Sequence, residues 1–155
     1  MTTTVLSAHG LSPIGTWNKG AYATVAHLRN RCPFGLTFDL PTEWRTRANV
    51  VYAFVVDEVV LYIGETTSGL ASRFAGYRYG NPSPADTDNR IKLALSQALS
   101  NGRAVSIWAT CPVATLSLPD GTVLQVPASK PLEEHLIGVI RPEFNVKSLF
   151  RPTVV

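Results

Sequence analysis

The chain has 155 residues and a formal charge of +3, with 45% apolar, 9% aromatic and 16% charged residues. That length fits one domain and excludes two, and that apolar share fills a core and excludes a disordered chain. The longest apolar stretch, Val50 to Ile63, is cut by Asp57 and Glu58 and falls short of the ~20 residues of a membrane span, and the first ten residues carry no secretory pattern, so a cytoplasmic protein is expected.

Residues 1–49 carry the whole basic surplus: Lys19, Arg29, Arg31, Arg45 and Arg47 stand against Asp39 and Glu43, whereas residues 50–155 balance. Most of the cations are arginines, whose flat fork suits phosphates and guanine edges, so the bias favours a polyanion. Gly10, Pro13, Gly15, Gly20, Pro33, Gly35 and Pro41 break up this part of the chain. It is expected to be an irregular basic extension of the same compact unit, with one short helix over Ala21 to Arg31. Val50 to Val56 and Val59 to Gly64 are rich in Val, Tyr, Phe and Ile and flank Asp57-Glu58, which predicts a hairpin. Gly69 to Tyr77 places Leu70, Phe74 and Tyr77 at helical spacing and ends before the turn-rich run YGNPSPADTD, an expected exposed loop. A second helix starts at a cap among Asp86, Thr87 and Asp88, carries the stripe Ile91, Leu95, Ala98 and Leu99, and stops at Asn101-Gly102. Ala104 to Thr110 reads as a strand, and Ala114 to Leu118 with Thr122 to Val126 as a hairpin across Pro119-Asp120-Gly121. A last helix runs from Ser129 to Ile140 and ends before Arg141-Pro142. The fold expected is a small α+β domain with a short mixed or antiparallel sheet flanked by helices. Residues 50–155 form its core.

Cys32 and Cys111 stand alone, and His9, His27 and His135 are scattered, so neither a zinc site nor a Ser/His/Asp constellation has its residues at hand. Two charged residues break their local patterns. Glu133 lies beside the apolar stripe Leu132, Leu136, Ile137 and Ile140, where a carboxylate needs a cation or a metal. It is either a ligand or a rim carboxylate paired with Arg73. Arg73 shares a helix flank with Tyr77, which suits a phosphate, although a lone helical arginine is also a common solvated charge. Trp17, Trp44, Trp108, Phe54 and Phe144 read as packing residues. Thr87, Asn89 and Arg90 open a helix, where a phosphate can dock or plain capping suffices.

The hairpin carries VVY at Val50 to Tyr52 and YIG at Tyr62 to Gly64, followed by a helix with Arg73, then E-x-x-L-I at Glu133 to Ile137 and P-x-x-N at Pro142 to Asn145. In this order and approximate spacing the string resembles the GIY-YIG nuclease family over about residues 50–147. Val50 and Val51 replace the family's Gly and Ile. The resemblance implies that Tyr52 lies nearest the attacking water, as general base or as orienter of a hydroxide, and that Tyr62 is a second phenol near the scissile phosphate. It implies that Arg73 stabilises charge on the phosphate, that Glu133 is the carboxylate ligand of a divalent cation, Mg²⁺ with Mn²⁺ as substitute, and that Asn145 supports the site. Tyr77 lies where many relatives have histidine and some tyrosine, as base or hydrogen-bond donor.

Phosphodiester hydrolysis needs an activated water, a Lewis acid and positive charge against the phosphate, and these residues supply that set. Tyr52 can be a base only if a metal or Arg73 favours its phenolate, because a phenol ordinarily titrates near pH ~10. A two-residue turn at Asp57-Glu58 alone would place Tyr52 and Tyr62 on opposite faces, so an odd-length loop or a bulge is expected. The function implied is an endonuclease acting on DNA, of restriction type, cutting both strands as a homodimer. Arg45, Arg47, Arg78, Arg90 and Lys92 are the expected DNA-contacting cations, and specificity is placed in residues 1–49 and 78–90. The alternatives are a repair, recombination or mobile-element nuclease that reads DNA shape, and a DNA-binding module without catalysis.

Overall fold

A strand that is apolar on both faces must be covered on both, and the run VVYAFVV meets that condition. The computed structural model describes residues 2–20, 35–78 and 87–145. In chain order they form α1 (Thr2–Ala8), β1 (Ser12–Lys19), β2 (Leu36–Asp39), α2 (Thr42–Arg45), β3 (Val50–Val56), β4 (Val59–Thr66), α3 (Leu70–Arg78), α4 (Thr87–Ser100), β5 (Val105–Thr110), β6 (Val113–Ser117), β7 (Val123–Pro127) and α5 (Ser129–Ile140). Five strands make one antiparallel sheet in the order β2-β1-β5-β3-β4, and β6 and β7 pair as a separate ribbon. Every residue of β3 is buried. On one face Tyr52 and Phe54 pack with Leu70, Phe74 and Tyr77 of α3 and Ile91 and Leu95 of α4. On the other, Val51, Ala53 and Val55 pack with Leu6 of α1 and Leu136 of α5. The fold is thus a small α+β domain, an antiparallel sheet flanked by helices, as expected. Among the described residues no helix is long and apolar enough to cross a membrane.

Residues 1–49 depart from the expected irregular extension. They supply α1, β1, β2 and α2, and β1 pairs with β5 inside the sheet. The glycine and proline that argued against a strand here sit at a register shift between Pro13 and Gly15. A Cβ on Gly15 would come within 2.8 Å of the Leu40 side chain, so glycine serves close approach at this bulge. The expected helix over 21–31 and residues 79–86 of the expected loop lie outside the described residues.

The first hairpin turns tightly at Asp57-Glu58, both with left-handed backbone (φ 50° and 65°), the primed turn that suits a two-residue loop. Val56 pairs with Val59 and Val55 with Val60, but Phe54 then pairs with Tyr62 and Tyr52 with Gly64. Leu61 is the extra residue of a bulge. Because one inserted residue reverses the faces of everything beyond it, Tyr52 and Tyr62 come to the same side of the sheet. The other end of the chain closes on this bulge. α5 stops at Arg141, left-handed at φ 54°, its N–H bonded to the Ile137 carbonyl. The segment after Pro142 then lies along the open edge of β4. The Phe144 N–H donates to the Leu61 carbonyl at 3.1 Å.

Candidate functional site

The aromatic side chains of the α3/α4 face converge beside this bulge. Tyr52 is fully buried and its ring lies flat on the β4 backbone at Gly64, where an added Cβ would sit 2.5 Å from Cζ of the ring. The glycine of YIG is therefore required by the tyrosine of VVY. Tyr77 reaches the same place from α3, and the two hydroxyls hydrogen-bond at 3.0 Å. Tyr62, half-buried on the edge strand, completes the group, its ring centre 6.2 Å from Tyr52 and 6.4 Å from Tyr77.

Arg73 stands one helical turn before Tyr77, and its guanidinium lies over that ring at 4.5 Å. Both of its terminal nitrogens donate to Asp88 at the start of α4, at 3.2 and 3.1 Å. This fork–fork pair fixes the plane of the guanidinium. The two side chains remain 28% and 29% exposed, so the pair borders solvent while the phenols behind it do not.

Electrostatics follow from that layering. Burial pushes the Tyr52 phenol well above its ordinary range, the nearby Tyr62 adds to the rise, and Arg73 and the Tyr77 hydrogen bond oppose it without prevailing. Tyr77 rises through burial and then through Tyr52. Burial works against the Arg73 charge, but the Asp88 hydrogen bond and the neighbouring phenols outweigh it, so the guanidinium is held more firmly protonated than usual. Arg73 favours a Tyr52 phenolate, but burial and Tyr62 outweigh it. Left to the protein's own groups, Tyr52 and Tyr77 are neutral phenols at neutral pH.

The remaining motif residues fall elsewhere. Glu133 sits on α5, which covers the opposite face of the sheet. It does not pair with Arg73. Its side chain is 12% exposed and accepts through Oε1 from Lys130 at 2.9 Å. The preceding turn of α5 holds another carboxylate, because the Ser129 hydroxyl donates to Glu65 of β4 at 2.8 Å. Asn145 is buried against the edge of β4: its Oδ1 accepts from the Ile63 N–H and its Nδ2 donates to the Ile63 carbonyl, both at 2.9 Å. It thereby holds the residue between Tyr62 and Gly64. Sequence reasoning missed the roles of Asp88 and Glu65. Asp88 was legible only as a helix cap, and Glu65 carried the signal of directly following YIG.

Of the expected DNA-contacting cations, Arg45 and Arg78 each lie over Phe38, at 5.3 and 5.8 Å from its ring centre, and Arg78 also donates to the Leu36 carbonyl. Arg47 stacks on Trp44 at 4.5 Å and Arg90 on Phe144 at 5.6 Å. Lys92 is a correction. It lies on the inner side of α4 at 3% exposure, where no ligand in solvent can reach it.

No protein-family model matches the chain, and no curated protein matches it. A point mutant of bacteriophage T4 EndoII has a similar structure, with a TM-score of 0.60 at 16% identity over 93% of this chain and 98% of that one. Restriction endonuclease HPY188I in complex with product DNA aligns at a TM-score of 0.47 and 16% identity, over 97% of this chain and 83% of the other. The first likeness is one of fold.

Proposed function

We propose that the chain is a DNA endonuclease of the GIY-YIG type that hydrolyses phosphodiester bonds with Mg²⁺. The observation that carries this reading is the convergence of Tyr52, Tyr62, Tyr77 and Arg73 in one cluster, in the order of the motifs, with a permanently charged guanidinium at its solvent border. The fold shared with bacteriophage T4 EndoII agrees with it.

The donor set suits a hard cation. Mg²⁺ commonly takes one or two carboxylates and keeps its waters, and Glu133 offers a shielded carboxylate whose partner, Lys130, is itself 64% exposed. Among the described residues no three His, Cys, Asp or Glu side chains converge as a cage. Glu133 would hold the ion, with Glu65 beside it on β4. A bound Mg²⁺ would supply a Lewis acid for the phosphate and would lower the pKa of the water that attacks it. The chain's own residues do the rest. Arg73 presents its fork to the phosphate oxygens as charge builds in the transition state. Tyr62 donates a hydrogen bond from the sheet edge. Tyr52 and Tyr77, linked by their hydroxyls, fix the plane on which Arg73 rests. Each chain brings one such cluster, so restriction-type cleavage of both strands takes a homodimer, and Arg45 and Arg78 over Phe38 extend the cationic surface for the DNA backbone.

The test is cleavage of supercoiled plasmid. Wild-type protein is expected to cut with Mg²⁺ or Mn²⁺ and not in EDTA. Glu133→Gln should abolish metal-dependent cutting, and Arg73→Ala should slow it at least ~10²-fold, as for other charge-stabilising donors. Discrete fragments identify a sequence-specific enzyme and branched-substrate preference a shape-directed one. Equal cutting in EDTA refutes the metal, and wild-type rates in Arg73→Ala refute the site. DNA binding without any cutting refutes the enzyme.

A further inference from the structure

A groove runs away from the phenol cluster along the outer side of α4. Its widest part is a cavity of about 440 Å³ between Ala94 and Gln97 of the helix, with Asn101 just past its end, and Leu61, Glu143 and Phe144 opposite. A narrower hollow of about 210 Å³ continues it toward Arg90, sharing Ala94, Gln97 and Phe144. Both walls lead to the cluster. The helix wall begins at Arg90, in the same first turn of α4 whose other side carries Asp88, which clasps Arg73. The opposite wall is the segment whose Phe144 N–H holds the Leu61 carbonyl and whose Asn145 holds Ile63, next to Tyr62.

The chemistry of the groove suits bases better than phosphates. Glu143 lines it, and Arg103 at its far end is already paired with Asp57 at 3.3 Å, so a phosphate chain would meet repulsion there. An apolar floor with hydrogen-bonding groups above it is instead the make-up of a small-molecule pocket. Gln97 on the exposed side of α4 and Asn101 just past its end stand one turn apart, and their side-chain amides make no hydrogen bond among the described residues. Amides read adenine edges, carboxylates read cytosine, and aromatic rings such as Phe144 stack on any base.

We propose that this groove is the base-reading site of the enzyme, with Gln97 and Asn101 as specificity-determining residues and Phe144, under Arg90, as the stacking surface. It rests on the nuclease reading for its substrate. At ~1.5 Å per helical residue, Gln97 and Asn101 lie about 14 and 20 Å along α4 from Asp88. At ~3.4 Å per nucleotide of one strand, that is about four to six nucleotides from the phosphate held at Arg73.

The experiment sequences the ends of a random-sequence DNA pool cut by wild type, Gln97→Ala and Asn101→Ala, and sequences the duplexes each protein retains from the same pool in EDTA. Wild type is expected to show a base preference about four to six nucleotides from the cut, and each variant to flatten it at least ~5-fold, the low end for one lost base contact. A preference at that distance that the variants keep, or none in wild type, overturns the groove. If wild type does not cut but its retained pool shows a preference that the variants lose, the nuclease reading falls and the groove stands. If it neither cuts nor retains DNA, both fall.

Discussion

Replacing Asn145 by alanine removes both partners of the Ile63 backbone at once. The Ile63 side chain is fully buried, and its N–H and C=O are turned to the outer edge of β4, where the two 2.9 Å bonds to Asn145 stand in for a missing strand. Leaving a buried donor or acceptor unpaired costs ~1–3 kcal/mol each, so Asn145→Ala should lose about 2–6 kcal/mol. For a chain of this size ~1 kcal/mol is worth about 2–4 °C, which predicts a fall in Tm of ~4–24 °C. Asn145→Asp keeps the acceptor for the N–H but sets a carboxylate oxygen against the Ile63 carbonyl, and should destabilise at least as much. Chemical denaturation is expected to show a lower midpoint with an unchanged slope, and hydrogen exchange at the Ile63 amide should rise more than at β3 amides. The Phe144 bond to Leu61 remains in both variants and keeps the segment docked. A Tm within about 2 °C of wild type, or unchanged protection at Ile63, refutes this account.

Gly64→Ala drives a methyl against the Tyr52 ring, which is locked between β3 and α3, and should cost ~1–3 kcal/mol by denaturant melt; a neutral effect would mean that the ring moves freely. Alkaline pH tests the buried phenols. Both Tyr52 and Tyr77 are raised in the folded chain, so above pH ~10 the unfolded chain loses protons that the folded one keeps, and stability falls as pH rises, by ~1.4 kcal/mol per unit for each phenol. Tyr77→Phe should reduce that slope, and an identical slope in the variant contradicts the burial argument. Asp88→Asn keeps its shape but weakens the hold on Arg73, so cleavage under saturating DNA should fall ~10- to 100-fold through misplacement of the guanidinium, with partial rescue by Asp88→Glu; an unchanged rate would show that Tyr77 alone orients it.

Much of this was legible because local patterns and tertiary packing agree. The continuous apolar run at Val50–Val56 announced a strand buried on both faces, and the stripe Ile91, Leu95, Ala98 announced the inner side of α4. The same regularity concealed Lys92, which follows Ile91 on the buried side although its type suggested an outward cation. β1 escaped because Pro13 and Gly15 usually break strands, whereas here they accommodate a bulge beside Leu40, a requirement set by residues distant in sequence. The bulge at Leu61 was foreseen only in kind, through the condition that two phenols must share a face. Its position was not readable, since it is fixed by pairing with Phe54 and by the Phe144 segment.

The placement of Glu133 gives β4 a role that the motif string did not disclose. Alternation puts Tyr62 and Gly64 on the α3 side of the strand and Ile63 and Glu65 on the α5 side, and β4 is the last strand of the sheet. The phenols and Arg73 therefore lie on one side of a single-strand border, with Glu65, Ser129 and Glu133 on the other. A phosphate reaching both groups must sit at that border, against the outer edge of β4, and the edge would ordinarily offer unpaired N–H and C=O groups to any passing strand. Asn145 and Phe144 occupy those groups at Ile63 and Leu61. The asparagine that ends the motif thus seals the backbone at the place where the proposed substrate crosses from one face of the sheet to the other.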